Sequence, residues 1–189
     1  MTDALEHELD EHLAVAEAAR SLLPRVEEVA SLLVDRFAAG RRLYTLGNGG
    51  SSLDAQHLAE ELVGRFKRDR RPLPAQSLAA DTAAITCIGN DYSFDEIFER
   101  QVRAFALPDD VVAAFTTSGR SPNVVRGLAA ARELGATTVL FGGGGGGPAR
   151  EHADHALVVP SESTARIQEL HVFLLHVLLE QVDAWAAGA

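Results

Sequence analysis

The sequence contains one cysteine, one lysine and no long uncharged apolar run. With Cys87 alone no disulfide can form within the chain, and a reducing, cytoplasmic home is the simplest inference. The longest uncharged apolar run, Leu170 to Leu179, covers ten residues and carries His171 and His176. It falls well short of the ~20 residues that span a bilayer and reads as a buried helix, so no membrane association is expected. Positive charge is also scarce. Seventeen Lys and Arg against 27 Asp and Glu give a net charge of -10. Nothing here would neutralise a run of phosphates, so nucleic acid is excluded as a partner. The segment from Met1 to Arg20 lacks the basic start and apolar run of a signal peptide. Lys67 is the only lysine beside sixteen arginines, a bias without mechanistic content.

What is present is a chain of 189 residues, 47% hydrophobic and 23% charged, the profile of one soluble domain over residues 1–189. At this length folding buries roughly 70% of the surface the unfolded chain exposes, enough to stand without a metal or disulfide staple. Small ligands and other protein chains remain as partners.

Leu5, Leu9, Leu13 and Ala16 recur at three- and four-residue spacing and predict a helix over 3–23, interrupted by Pro24. Val26, Val29, Leu33 and Phe37 repeat the pattern over 25–37, ending at Gly40. A strand at Arg42 to Leu46 then runs into Gly47-Asn48-Gly49-Gly50-Ser51 and a helix from Ser52 to about Arg65. The same unit recurs where Val111 to Thr117 meets Ser118-Gly119-Arg120-Ser121 and a helix from Pro122 to Leu134. Further strands are expected at 74–78, 137–141 and 156–159, with helices over 94–105 and 165–185. Five strands alternating with helices imply an α/β three-layer sandwich around a parallel sheet, because parallel strands need crossovers that cover both faces. The six glycines Gly142 to Gly147 read as a flexible surface loop.

In an open parallel sheet ligands bind beyond the carboxyl ends of the strands, where both Gly/Ser-rich turns lie. Backbone N–H groups at a helix start, close approach at glycine and added hydroxyls suit a phosphate. Neither GNGGSS nor TTSGRS matches a dinucleotide fingerprint or a P-loop. The plainer alternative is a pair of ordinary turns with serine N-caps. His57 and Glu61, four apart, share a helix face and could hold a metal or flank a substrate, with Glu60 as a competitor. On the last helix Gln168 and His176 lie about 80° apart around the axis and ~12 Å along it, with His171 between them. Buried polar groups on so apolar a helix need partners, and a hydrogen-bonded core or interface role is the ordinary explanation. Asn90-Asp91 could cap a helix beginning near Phe94 or contact a sugar hydroxyl. The basic stretch Arg65 to Arg71 is solvated or helps to attract an anion.

Taken together, Gly47-Asn-Gly-Gly-Ser51, His57-Leu-Ala-Glu-Glu61-Leu, Gly89-Asn-Asp91, Thr116-Thr-Ser-Gly-Arg-Ser121 and Arg166-Ile-Gln-Glu-Leu-His171 resemble the phosphoheptose isomerases of the sugar isomerase (SIS) domain family, over about residues 3–185. The resemblance implies interconversion of sedoheptulose 7-phosphate and D-glycero-D-manno-heptose 7-phosphate. It implies that Asn48, Gly49, Gly50, Ser51, Thr116, Thr117, Ser118 and Ser121 line the phosphate and sugar site, with Arg65, Asn90, Asp91 and Gln168 also contacting substrate. Glu61 and His176 would be the acid–base pair. His57, Glu61, Gln168 and His176 would bind zinc, one per subunit. The protein would be a homotetramer with sites between chains, residues 1–40 serving oligomerisation. Moving a carbonyl between C2 and C1 through a cis-enediol needs a proton taken from one carbon and returned to its neighbour, work that a carboxylate and an imidazole can share. Three departures stand out: Thr116 where a serine is common, Arg120 in place of a smaller polar residue, and Ala165 where some members carry Asp. The alternative is a non-catalytic binding protein of the same fold, resembling the factor that associates with the bacterial replication initiator; it would need no acid–base pair. A sugar-phosphate sensor attached to a regulator has no DNA-binding extension to support it.

Overall fold

The computed structural model describes residues 2–188, with Met1 and Ala189 outside the described residues. Five parallel strands, β1 (Leu43–Gly47), β2 (Ala75–Ser77), β3 (Val111–Thr116), β4 (Thr137–Gly142) and β5 (His155–Val158), form one sheet in the order β2-β1-β3-β4-β5. Every residue of β1 and β3 is buried, which is why these segments read as continuous apolar runs rather than as alternating ones. The period-2 geometry sorts them between two cores. Val111, Ala113 and Phe115 join the core formed with α2 (Leu23–Ala38), α3 (Gly50–Val63) and α7 (Thr164–Gly188). Val112 and Ala114 face α5 (Ile97–Phe105) and α6 (Pro122–Glu133). The expected three-layer α/β sandwich is therefore the observed one.

Helix α7 is long and apolar enough to cross a membrane, yet half of its most apolar stretch is buried inside the protein. Leu170, Leu174, Leu178 and Val182, at helical spacing, enter the core, so the buried-helix expectation holds. At its far end the Asp183 carboxylate accepts hydrogen bonds from Arg68 N–H (3.0 Å) and Arg70 Nε (3.1 Å).

Several local expectations are corrected. The first helix, α1 (Thr2–Ala18), gives way to a 3-10 turn at Ala19–Leu22, and Pro24 sits in the first turn of α2, where its missing N–H costs nothing. Leu5, Leu9 and Leu13 form no core face: they are 68%, 58% and 56% exposed. A further helix, α4 (Thr82–Asp91), was not anticipated, and Asn90-Asp91 are its last residues rather than a cap for the next helix. Ser93 precedes the 3-10 turn Phe94–Glu96, and α5 begins only at Ile97. The glycine run is not a flexible loop. Gly142 ends β4, Gly144–Gly146 form a 3-10 turn, and Gly144 to Gly147 all take positive φ. Gly146 is buried with its carbonyl against Gly119, where a Cβ would collide with it. This backbone-to-backbone approach explains glycine at 119, and the φ of +89° explains it at 146.

Candidate active site

The strand order reverses between β1 and β3, so their carboxyl ends open onto the switch-point crevice of the sheet. The two glycine- and hydroxyl-rich turns meet there. Asn48, after β1, and Asn123, in the first turn of α6, exchange amide hydrogen bonds of 2.8 and 2.9 Å and tie the turns together. The Thr116 hydroxyl accepts the Gly119 N–H at 3.1 Å, closing the second turn on itself. A cavity of about 230 Å³ lies between, lined by Asn48, Ser51, Phe115, Thr116, Thr117, Ser118, Ser121, Thr164 and Gln168. No serine hydroxyl here makes a capping hydrogen bond. Gly49, with φ +55°, caps α3 and has no side chain to offer, while Ser121 caps α6 without a side-chain hydrogen bond. The hydroxyl of Ser121 and two helix N-termini are thus left facing a common space, the chemistry of an anion site. Gly50 is where the Gln168 amide lies, since a Cβ at this position would overlap it.

Farther along α3 a second group assembles. His57 Nε2 lies 3.5 Å from Glu61 Oε1, both side chains partly buried. The ring of His176, from α7, meets His57 edge-on at 5.0 Å and stacks on Phe66 at 5.7 Å. Burial and the neighbouring His57 push the His176 imidazole below its ordinary value; Glu61 opposes this and Lys67 adds to it. The end of α3 is held by Arg70, whose guanidinium donates to the Glu61 carbonyl at 2.6 Å and the Leu62 carbonyl at 2.8 Å. His57, Glu60 and Glu61 bring ligand atoms within 4.8 Å of one another, and imidazole with carboxylate is a donor set that suits zinc. Glu60 is the exposed member.

The structure therefore brings His57, Glu61 and His176 together and places Gln168 with the hydroxyls of the crevice. Arg65, Asn90 and Asp91 are exposed and line neither group; the Asn90 amide donates to Asp91 at 2.7 Å. Asn123 and Thr164 were missed from sequence. Each opens a helix, and a polar residue in the first turn was the available signal.

A doubly wound α/β domain with two hydroxyl-bearing turns at its switch point defines a protein that holds a phosphorylated small molecule. Residues 9–143 match the SIS domain model, and the chain belongs to that family, among the phosphoheptose isomerases. It is 51% identical over 159 residues to the phosphoheptose isomerase of Aquifex aeolicus, covering 84% of this chain and 83% of the relative. With that of Geobacter sp. (strain M21) it shares 47% over 184 residues, 97% of this chain and 96% of the relative. The solved phosphoheptose isomerase of Francisella tularensis superimposes with a TM-score of 0.93 at 33% identity, covering 97% of this chain and 98% of that one.

Proposed function

We propose that the protein is an aldose–ketose isomerase interconverting sedoheptulose 7-phosphate and D-glycero-D-manno-heptose 7-phosphate through an enediol. The observation that carries this is one helix, α3, with the hydroxyl-lined crevice at its start and the His57–Glu61–His176 group at its far end. Phosphate and sugar hydroxyls are held by Asn48, Gly49, Gly50, Ser51, Thr116, Thr117, Ser118, Ser121 and Gln168. Side chains on a helix lean toward its N-terminus, so the Glu61 carboxylate is directed back toward the crevice.

Glu61 removes the proton from C1 of the ketose, giving the enediol, and the proton returns to C2. The hydroxyl proton leaves O1 and appears on O2, a transfer for which a neutral imidazole can both accept and donate; a lowered His176 suits this. No atom is gained or lost. His57, Glu61 and His176 would hold zinc, one per subunit, with Gln168 reaching the metal along α7 or from a neighbouring copy. Zinc would supply Lewis-acid stabilisation of negative charge on the sugar oxygens. The exposed Arg65, Asn90 and Asp91 fit contacts made where a second copy completes the site of a cytoplasmic homotetramer, residues 1–40 serving its assembly.

The test is an assay of C5 to C7 ketose phosphates with purified protein. Conversion of sedoheptulose 7-phosphate, faster than of shorter ketoses, is expected. Binding without turnover of any of them would overturn the reading and restore the non-catalytic binding protein.

A further inference from the structure

We propose that Arg70 is a positioning residue whose buried guanidinium fixes the Glu61 carboxylate against His176, a role that rests on reading those two side chains as the acid–base pair. Glu61 stands two residues before the end of α3, in the turn whose carbonyl groups have no partner within the helix. Gly64 stops the helix with φ −82° and ψ −116°, and its N–H satisfies the Glu60 carbonyl alone, at 2.7 Å. Helix ends of this kind fray, and a side chain carried there moves with them. For a base that must meet one proton, a displacement of ~1 Å can cost ~10²-fold in rate.

Arg70 removes that freedom. Its Nη2 donates to the Glu61 carbonyl at 2.6 Å, and its Nη1 to the carbonyls of Leu62 at 2.8 Å, Arg71 at 3.0 Å and Gly64 at 3.3 Å. Its Nε donates to Asp183 Oδ1 on α7 at 3.1 Å. Asp183 lies seven residues, two helical turns, past His176, so the two share a side of α7. One planar group therefore ties the loose end of the helix that carries Glu61 to the helix that carries His176. Stability alone does not require this arrangement, since two apolar side chains of similar volume serve as well as a buried ion pair. A lysine would keep the charge but lack the fork that reaches both carbonyls and carboxylate. Arg68 supplies the contrast. It pairs with the same Asp183 at 3.3 Å and with Glu180 at 3.3 Å, half exposed, and makes no bond to α3 among the described residues.

The experiment measures kcat and KM for sedoheptulose 7-phosphate, inhibition by inorganic phosphate, and melting temperature. Arg70→Lys is expected to lower kcat about tenfold while KM and phosphate inhibition stay within about twofold, because the crevice lies at the other end of α3. The loss must run through Glu61. In a Glu61→Gln background, whose residual turnover no longer uses the carboxylate, Arg70→Lys is expected to lower kcat less than about twofold. A merely structural Arg70 would reduce the folded fraction, and with it turnover, by one factor in both backgrounds, and that result overturns the proposal. Parent-like kcat in Arg70→Lys does the same. Should Arg70→Lys fail to fold, the double variant Arg70→Met/Asp183→Asn takes its place. It removes both charges together, keeps an acceptor for the Arg68 N–H and should melt near the parent temperature, so the same comparison of backgrounds decides. Arg68→Ala is the reference and should leave kcat unchanged. If Glu61→Gln itself turns over like the parent, the acid–base reading falls and the clamp with it; if Glu61→Gln is impaired and the Arg70 effect is equal in both backgrounds, only the clamp falls.

Discussion

The imidazoles of His57 and His176 meet edge to face across the seam between α3 and α7, ring centroids 5.0 Å apart, with the Glu61 carboxylate 3.5 Å from the first of them. A carboxylate and two imidazoles from two helices converge there. We predict that Glu61→Gln, nearly isosteric but no longer a base, lowers turnover at least ~10²-fold with an unchanged melting temperature. His176→Gln should behave alike. Parent-like turnover in either variant, measured on sedoheptulose 7-phosphate, refutes the acid–base assignment.

Zinc and proton transfer would compete for the same three side chains, so they can be separated by removing the metal. Because the acid–base roles rank above the metal role, exhaustively chelated protein is expected to keep measurable isomerisation. Complete loss, restored by one equivalent of zinc per subunit, would give the metal the leading part instead.

A different pair governs stability. Burial disfavours the charged form of Asp183, but hydrogen bonds from the Arg68 N–H, the Arg68 side chain and Arg70, with the charge of Arg70, outweigh it and hold the carboxyl below its ordinary 3.8. The side chains of Asp183 and Arg70 are 1% and 0% exposed. A carboxyl with a lowered folded value stabilises the protein above 3.8 and loses that contribution as pH falls through the folded value. Asp183→Asn, which leaves Arg70 buried without its counter-charge, should cost about 3 to 5 kcal/mol at neutral pH and flatten the acid side of the stability profile. Urea denaturation at several pH values checks both; equal losses at pH 7 and pH 3 would contradict the linkage.

How legible this was from sequence depends on what each signal reports. The β1–α3 and β3–α6 units were readable because apolar runs, glycine turns and helix periodicity agree locally, and the turns carry the crevice. Leu5, Leu9 and Leu13 announced an apolar face correctly, but periodicity does not say what covers that face, and the chain itself leaves it open. Helix α4 escaped notice because its Ala- and Thr-rich stretch buries no residue fully. The glycine run has no side-chain pattern at all. Only the approach of Gly146 to Gly119, 27 residues away in sequence, distinguishes a packed brace from a flexible loop. The Asn48–Asn123 bond spans 75 residues and leaves no trace in local spacing.

That brace gives a prediction of its own. Gly119 has φ +64°, and its Cβ position falls on the Gly146 carbonyl. Gly119→Ala should therefore cost more than the ~1–2 kcal/mol of a left-handed non-glycine residue, displace the second turn and weaken phosphate inhibition. Gly145→Ala, at φ +72° but with open space around its Cβ, should show the backbone cost alone and leave phosphate inhibition unchanged. Equal effects of the two substitutions on inhibition would mean that the brace does not aim the turn.

The exposed leucines of α1 carry the last prediction. Leu5, Leu9 and Leu13 continue toward Phe173 of α7, itself 47% exposed, and a hollow lined by Leu13, Ala16, Leu23 and Phe173 joins the two helices. Polar ties hold α1 in place against α7: Arg166 reaches the Glu8 backbone and carboxylate, and His12 pairs with Glu169 at 2.7 Å. With α1 fixed and its apolar stripe uncovered, a second copy is the natural cover, since fully burying each leucine contributes about 1.5 to 3 kcal/mol. Phe173 also borders the hollow beside His176, so association would cover the outer side of the His57–Glu61–His176 group. In the proposed tetramer, Leu9→Glu should give smaller species in light scattering at micromolar concentration and reduce turnover in step with the lost assembly. A parent protein that is monomeric and fully active under those conditions would defeat the assembly reading outright.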